Sequence, residues 1–172
     1  MSGGLLRVHG NGGHRLGAGL PGASRGMSGG EVVVAGRVGD EVAARARRGL
    51  VVVGGDTGAS AGRAMIAGTL VVFGHVGPDP VAGNKRGSLL SVGGVRVPTT
   101  YRLACTYEPP FVRLLMTYLA RRYGLAIEAA DATGFHATAS AIGDQAADSH
   151  CASFAIDQTG TRTATSTDCW LR

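Results

Sequence analysis

The sequence predicts an all-β fold: a parallel β-helix with coils of about nineteen residues, followed by one C-terminal α-helix and a flexible tail. Three observations carry this expectation. Apolar, largely β-branched runs recur at a fixed spacing of nineteen residues; each run stops at a glycine in the same register; and 25 of the 29 glycines lie before Val95. Self-similarity at a short fixed period marks a solenoid.

The copies align as 31–49, 50–68 and 69–87, with a partial fourth copy from Ser88. Their apolar runs are Val32–Val34, Val51–Val53, Leu70–Val72 and Leu89–Leu90. Glycines follow in register at Gly36, Gly55, Gly74 and Gly93, then at Gly39, Gly58 and Gly77, and each unit closes at Gly49, Gly68 or Gly87. A looser first copy runs from Leu5 to Gly30 with seven extra residues. Nineteen residues cannot hold two helices, and helical repeats need about 33 or more. Short β-branched runs that end at glycine read as strands. Glycine suits corners that need positive φ and places where coils approach closely. Left-handed β-helix acyltransferases repeat every six residues, and nineteen is not a multiple of six, so that alternative is set aside.

Strand alternation sorts the side chains onto two faces. Leu6, Val8, Val32, Val34, Val51, Val53, Leu70, Val72, Leu89 and Ser91 should face the core. Arg7, Val33, Val52, Val71 and Leu90 should point outward. An outward apolar stripe is either a surface for a partner or a strip covered by the chain's own C-terminal helix. Cations fall in the last third of each coil: Arg45, Arg47 and Arg48, then Arg63, then Lys85 and Arg86. Stacking aligns them into a basic ladder, which serves either an acidic partner or the solvated edge of the solenoid.

Charge is unevenly distributed. Residues 1–124 carry a net +9 and residues 125–172 a net −4, which together give +5. A basic body fits an acidic partner or nucleic acid. Phe73 is the only aromatic residue in the repeats, too few for base stacking, so nucleic acid is not expected. No apolar stretch is long enough to span a membrane. The N-terminus lacks the charged-then-apolar pattern of a secretory signal, so the expected location is cytoplasmic.

The organisation expected is β-helix repeats over residues 5–97, a post-solenoid segment and amphipathic helix over 98–127, and a disordered tail over 128–172. Pro109 and Pro110 suit a first helical turn. Phe111, Leu114, Leu115, Tyr118 and Leu119 then follow at one-face helical spacing. Arg121, Arg122 and Gly124 suit the helix end. Such a helix packs on the solenoid or docks another chain. Residues 136–140 and 161–167 look unstructured, and Trp170 is the single tryptophan.

No motif supplies chemistry on its own. Gly17-Ala18-Gly19-Leu20-Pro21-Gly22 matches a dinucleotide loop, but Pro21 and the glycines after it oppose the helix that loop requires. Gly83-Asn84-Lys85 lacks the spacing and the hydroxyl of a phosphate loop. Asp40-Glu41 are adjacent turn residues without an acid/base arrangement. His9, His14 and His75 lack metal-site spacing. Cys105, Cys151 and Cys169 form no zinc or redox pair, and Cys105 is expected to be a small buried residue. His150-Cys151 has no carboxylate at useful spacing to complete a triad. No catalytic, cofactor-binding or metal residue is therefore expected.

Several segments carry a family resemblance: Gly19 to Gly30, Val38-Gly39-Asp40, Arg48-Gly49-Leu50, Ala64 to Thr69, Val72-Phe73-Gly74, and Pro98 to Thr106. The chain resembles the C-subunit family of formylmethanofuran dehydrogenase, above all its bacterial form in the formyltransferase/hydrolase complex of methylotrophs. The resemblance covers roughly residues 5–127. It implies a right-handed parallel β-helix of the kind in the C-terminal domain of the glutamate synthase large subunit. It also implies a non-catalytic structural subunit in one-carbon metabolism that binds no cofactor itself. The implied partners are amidohydrolase-like, formyltransferase and molybdopterin-subunit-like chains. In archaeal relatives a molybdenum or tungsten pterin sits on another subunit. Family members carry more chain before the first coil, and the likeness ends near Asp131, so a partial member is expected. The partner surfaces then fall to Val33, Val52, Val71 and Leu90, to Arg47, Arg48, Lys85 and Arg86, and to Phe111 and Leu115. The other reading is a stand-alone β-helical module that binds an acidic ligand through the basic face.

Overall fold

The structure, a computed structural model, describes residues 1–106, 108–130, 135–140, 153–157 and 162–164. Two compact units divide the chain, Met1–Arg102 and Leu103–Arg172.

The first unit is a parallel β-solenoid with coils of about nineteen residues. Strands β1 (Ser2–Val8), β2 (Ser28–Val34), β3 (Arg48–Val53), β4 (Thr69–Val72) and β5 (Ser88–Ser91) form one sheet in sequence order. All pairs are parallel, and Val32, Val51, Leu70 and Leu89 stand in one register row. Leu6 pairs with Val32, so the first coil is seven residues longer than the others. Those residues are placed by two hydrogen bonds. Gly19 N bonds to Ala44 O at 3.2 Å, and Arg47 N bonds to Met27 O at 2.8 Å. The insertion is therefore Leu20 to Gly26, a surface loop of turns with no helix. The dinucleotide-like glycines enter this loop, and without a helix they offer no dipole for a pyrophosphate.

A second side of each coil is extended and narrow, marked by the parallel bridges Val38–Thr57 and Val76–Val95. The third side is unusual. Glu41, Ala43 and Arg45 have φ of 56°, 55° and 57°, and Ser60, Gly62 and Ala64 repeat this at 58°, 68° and 53°. Asp79, Val81 and Gly83 repeat it again. Left-handed φ at a non-glycine residue costs on the order of 1–2 kcal/mol. Hydrogen bonds offset that cost. Alternation turns successive amides toward opposite neighbours: Glu41 N reaches Ala59 O in the next coil, Ala43 N reaches Leu16 O in the previous one, and Arg45 N reaches Arg63 O in the next, each at 2.8 Å. Corner glycine has a separate reason. Gly49 and Gly68 have φ of 103° and 100°, where side chains are rarely tolerated.

The solenoid interior is apolar. Val32, Val34, Val51, Val53, Leu70 and Val72 form its strand side, as the alternation requires. Val38 and Val76 close the second side, and Val42, Ala43, Ala46, Ala61 and Met65 close the third. Met27, Ala46 and Met65 occupy one row, so two long flexible side chains straddle a small one. Val8 and Leu89 are only partly buried, and Leu6 is 42% exposed, because the terminal coils have a neighbour on one side only.

In the second unit, helix α1 spans Pro110–Tyr123, with proline in its first turn and Arg121 and Arg122 in its last. Gly124 ends it at φ 67°, and its N–H returns to Ala120 O at 3.0 Å. The buried face differs from the expected one. Leu119 and Tyr123 are buried, whereas Phe111, Leu114 and Tyr118 are 49%, 72% and 37% exposed. The helix turns its Leu119 side inward, and α1 packs against the strand that follows it, β6 (Leu125–Ala130). Cys105 is also corrected, since it is an exposed free thiol rather than a buried one.

Residues 128–172 were expected to lack structure. Within them and just before, the described residues form a four-stranded antiparallel sheet of β6, β7 (Phe135–Ser140), β8 (Ser153–Asp157) and β9 (Arg162–Ala164). Short Ala, Thr and Ser strands lack the apolar alternation that makes strands visible in sequence. His150, Cys151, Cys169, Trp170 and residues 165–167 lie outside the described residues.

Candidate docking surface

The solenoid brings the polar residues of each coil into rows. Asn11, Arg37, Asp56 and His75 make one row, and His14, Asp40 and Ala59 make the next. Side chains in one coil satisfy amides in the following coil. Arg37 N donates to Asn11 Oδ1 at 3.0 Å, Asp40 N to His14 Nδ1 at 3.0 Å, Ala59 N to Asp40 Oδ1 at 2.7 Å, and His75 N to Asp56 Oδ1 at 2.8 Å. Thr57, the one buried polar residue among those described, accepts from Gly77 N at 3.3 Å. Its hydroxyl thus serves the same purpose from the inside.

His14 Nδ1 also lies 3.2 Å from Asp40 Oδ2. One nitrogen cannot accept from the Asp40 amide and donate to the Asp40 carboxylate together. The amide bond matches the other rungs and holds with Nδ1 unprotonated. Asp40, Asp56 and His14 therefore act as coil-to-coil fasteners. The described residues include no cluster of three or more metal-ligating groups. Asn84 likewise closes its own turn, accepting from Gly87 N at 2.9 Å and donating to Gly87 O at 2.7 Å. The backbone amides of Asn84 and Lys85 are taken by Val81 O and Met65 O, both at 2.9 Å, so they are not free to cradle a phosphate.

The expected apolar stripe is placed differently. Val33, Val52 and Val71 are 4%, 0% and 0% exposed, outside the interior cluster, and Leu90 is half-buried. The alternation is right, but these valines are not offered to solvent, so they form no open stripe. On α1, Phe111 remains exposed and Leu115 is half-buried.

Two sets of cations lie on and beside the expected ladder. The first is tied to the protein. Arg15 donates to Gly19 O at 2.8 Å and lies 3.6 Å from Glu41, Arg63 reaches Glu41 at 3.1 Å, and Arg45 donates to Ala23 O at 2.8 Å. The second set is Arg25, Arg47, Arg48, Lys85 and Arg86. All five are exposed, and their side chains have no partner among the described residues. Arg47, Ile66 and Lys85 form one stacked row, and Arg48, Ala67 and Arg86 the row beside it. The inserted loop adds Arg25, and a shallow depression of about 270 Å³ opens between Ser24, Arg25, Arg47, Ile66 and Arg86. Sequence reasoning found Arg47, Arg48, Lys85 and Arg86 by period. It missed Arg25, because the insertion breaks the period that would have placed it.

These features define two things: a β-solenoid with an unpaired basic surface, and a second unit that carries one helix and a small sheet. No protein-family model, curated protein or solved structure matches the chain. No helix among the described residues is long and apolar enough to cross a membrane.

Proposed function

We propose that this chain is a structural subunit of a complex of the formylmethanofuran dehydrogenase or formyltransferase/hydrolase type, working in one-carbon metabolism. The supporting observation is the geometry of the segments that carry the resemblance. Val38-Gly39-Asp40 is a coil corner whose Asp40 fastens the next coil, and Ala64 to Thr69 is another, with Met65 buried in the interior. Gly19 to Gly30 contains the inserted loop, which Arg45 and Arg15 hold in place. The resemblance therefore falls on a built scaffold that leaves the basic rows and Phe111 for partners. Chemistry belongs to the amidohydrolase-like and formyltransferase partners, and any molybdenum or tungsten pterin to a further subunit. In this reading the chain acts in the cytoplasm.

Affinity purification of the tagged chain from its native host tests this, with the co-eluting proteins read by mass spectrometry. Stoichiometric recovery of formyltransferase and amidohydrolase-like subunits supports the proposal. Elution of the chain alone, still folded by circular dichroism, removes it.

The unpaired arginines favour a second reading, a stand-alone β-solenoid module for an acidic ligand. Binding by the isolated chain that weakens with added salt supports that reading.

A further inference from the structure

We propose that the depression bounded by Arg25, Arg47 and Arg86 is the docking site for an acidic polypeptide segment that carries an aliphatic side chain between carboxylates. The inference rests on the reading of the basic face as a surface for an acidic ligand, and it fixes the place and chemistry of that ligand. It holds whichever complex the chain joins.

Three observations converge on this site. First, the cations there are unspent. Glu41 takes Arg15 and Arg63, and Ala23 O takes Arg45, but the side chains of Arg25, Arg47 and Arg86 have no partner among the described residues. Guanidinium groups without a carboxylate are the donors best suited to bind one in two-pronged fashion. Second, the loop that brings Arg25 to the site is held in place. Arg45 Nη1 bonds to Ala23 O, and Arg15 Nη2 bonds to Gly19 O, both at 2.8 Å. Holding the loop in this way reduces the ordering cost of binding. The insertion, which contributes nothing to the stacked core, thereby forms one wall of the depression.

Third, the surface has a definite pattern along the solenoid axis. Coils stack at about 4.8 Å, so the backbones of Arg47 and Arg86 lie about 10 Å apart, two coils from each other. A ligand that gives each of these two arginines its own carboxylate carries at least two, set about that far apart. Half-buried Ile66 lies between the cations, in the row of Arg47 and Lys85. An aliphatic side chain set between two acids complements that order. Nucleic acid fits less well: Ser24, Arg25, Arg47, Ile66 and Arg86 include no aromatic ring on which a base could stack.

The test uses the full chain and fluorescence anisotropy with three labelled probes. One is a short peptide alternating glutamate and leucine, the second has glycine in place of leucine, and the third is an oligothymidylate of equal charge. The alternating peptide should bind most tightly, and its affinity should fall as sodium chloride is raised. Arg47→Glu with Arg86→Glu should weaken it by roughly tenfold, the combined effect of two partly exposed ion pairs. Arg37→Glu, an exposed change elsewhere, should leave it unchanged. Ile66→Ser should weaken the leucine peptide and leave the glycine peptide unaffected, a difference that general charge attraction does not produce. Circular dichroism of each variant verifies its fold, and Arg47→Gln repeats the measurement if charge reversal perturbs it.

Two results would overturn the proposal while leaving an acidic-ligand module in place: peptide binding indifferent to Arg47 and Arg86, or equal binding of both peptides. Preferential binding of the oligothymidylate would replace the ligand class. No binding of any probe at low salt would remove the acidic-ligand reading together with this site.

Discussion

Asp40 Oδ1 accepts a hydrogen bond from Ala59 N at 2.7 Å, although the two residues hold the same position in successive coils. This is a side chain replacing the strand hydrogen bonds that a tight corner cannot make. Asp56 does the same for His75 N at 2.8 Å. Together with Asn11 and His14 these contacts join coils at a corner where the backbone turns away from ladder geometry.

Asp40→Ala should therefore lower stability by about 1 kcal/mol, the usual net value of such a bond. Asp40→Asn keeps an acceptor and should cost less. Urea denaturation of the two variants measures the difference. Equal losses would mean that the charge at Asp40, rather than its role as acceptor, matters.

Ala64 lies in the left-handed region at φ 53°, and Gly83 holds the equivalent position one coil on. Replacing alanine by glycine usually weakens a fold. Here Ala64→Gly should be neutral or stabilising by up to about 1 kcal/mol, because relief of left-handed strain opposes the added freedom of the unfolded chain. Thermal unfolding decides it, and a clear fall in Tm would show that the strain is smaller than its φ implies.

Much of this was legible in the sequence. Val32, Val51 and Leu70 announce the coil because strand alternation and a fixed period coincide there. Gly49 and Gly68 announce the corner because only glycine suits φ near 100°. The third side was not legible: Glu41, Ala43 and Arg45 adopt left-handed φ without being glycine, held by bonds from neighbouring coils. Burial of Val52 also escaped, since alternation says which way a side chain points and not what lies beyond it. The basic row was legible by period, but Arg25 was not, because it sits in the one insertion that breaks the period.

Val52 and Val71 are fully buried. Val52→Asp with Val71→Asp places two carboxylates where water does not reach them, at a cost of several kcal/mol. The pair should abolish cooperative unfolding rather than merely weaken docking. A sharp unfolding transition in the double variant, read by circular dichroism, would show that these valines can reach solvent.

On α1, Leu119 is 0% exposed and Leu114 is 72% exposed. Leu119→Ala should cost about 2–5 kcal/mol, the range for a buried leucine, while Leu114→Ala should stay within about 0.5 kcal/mol. Urea titrations of the two variants compare them directly. Equal effects would place the packed face of the helix where the sequence pattern alone put it.

The proposed scaffold role is tested most directly by deleting this chain in its native host and following both formyl transfer in extracts and sedimentation of the proposed partner subunits. A scaffold predicts that the formyltransferase and hydrolase subunits persist, sediment separately and lose coupled activity, and that re-expression restores both. Intact co-sedimentation with undiminished formyl transfer in the deletion strain would contradict it.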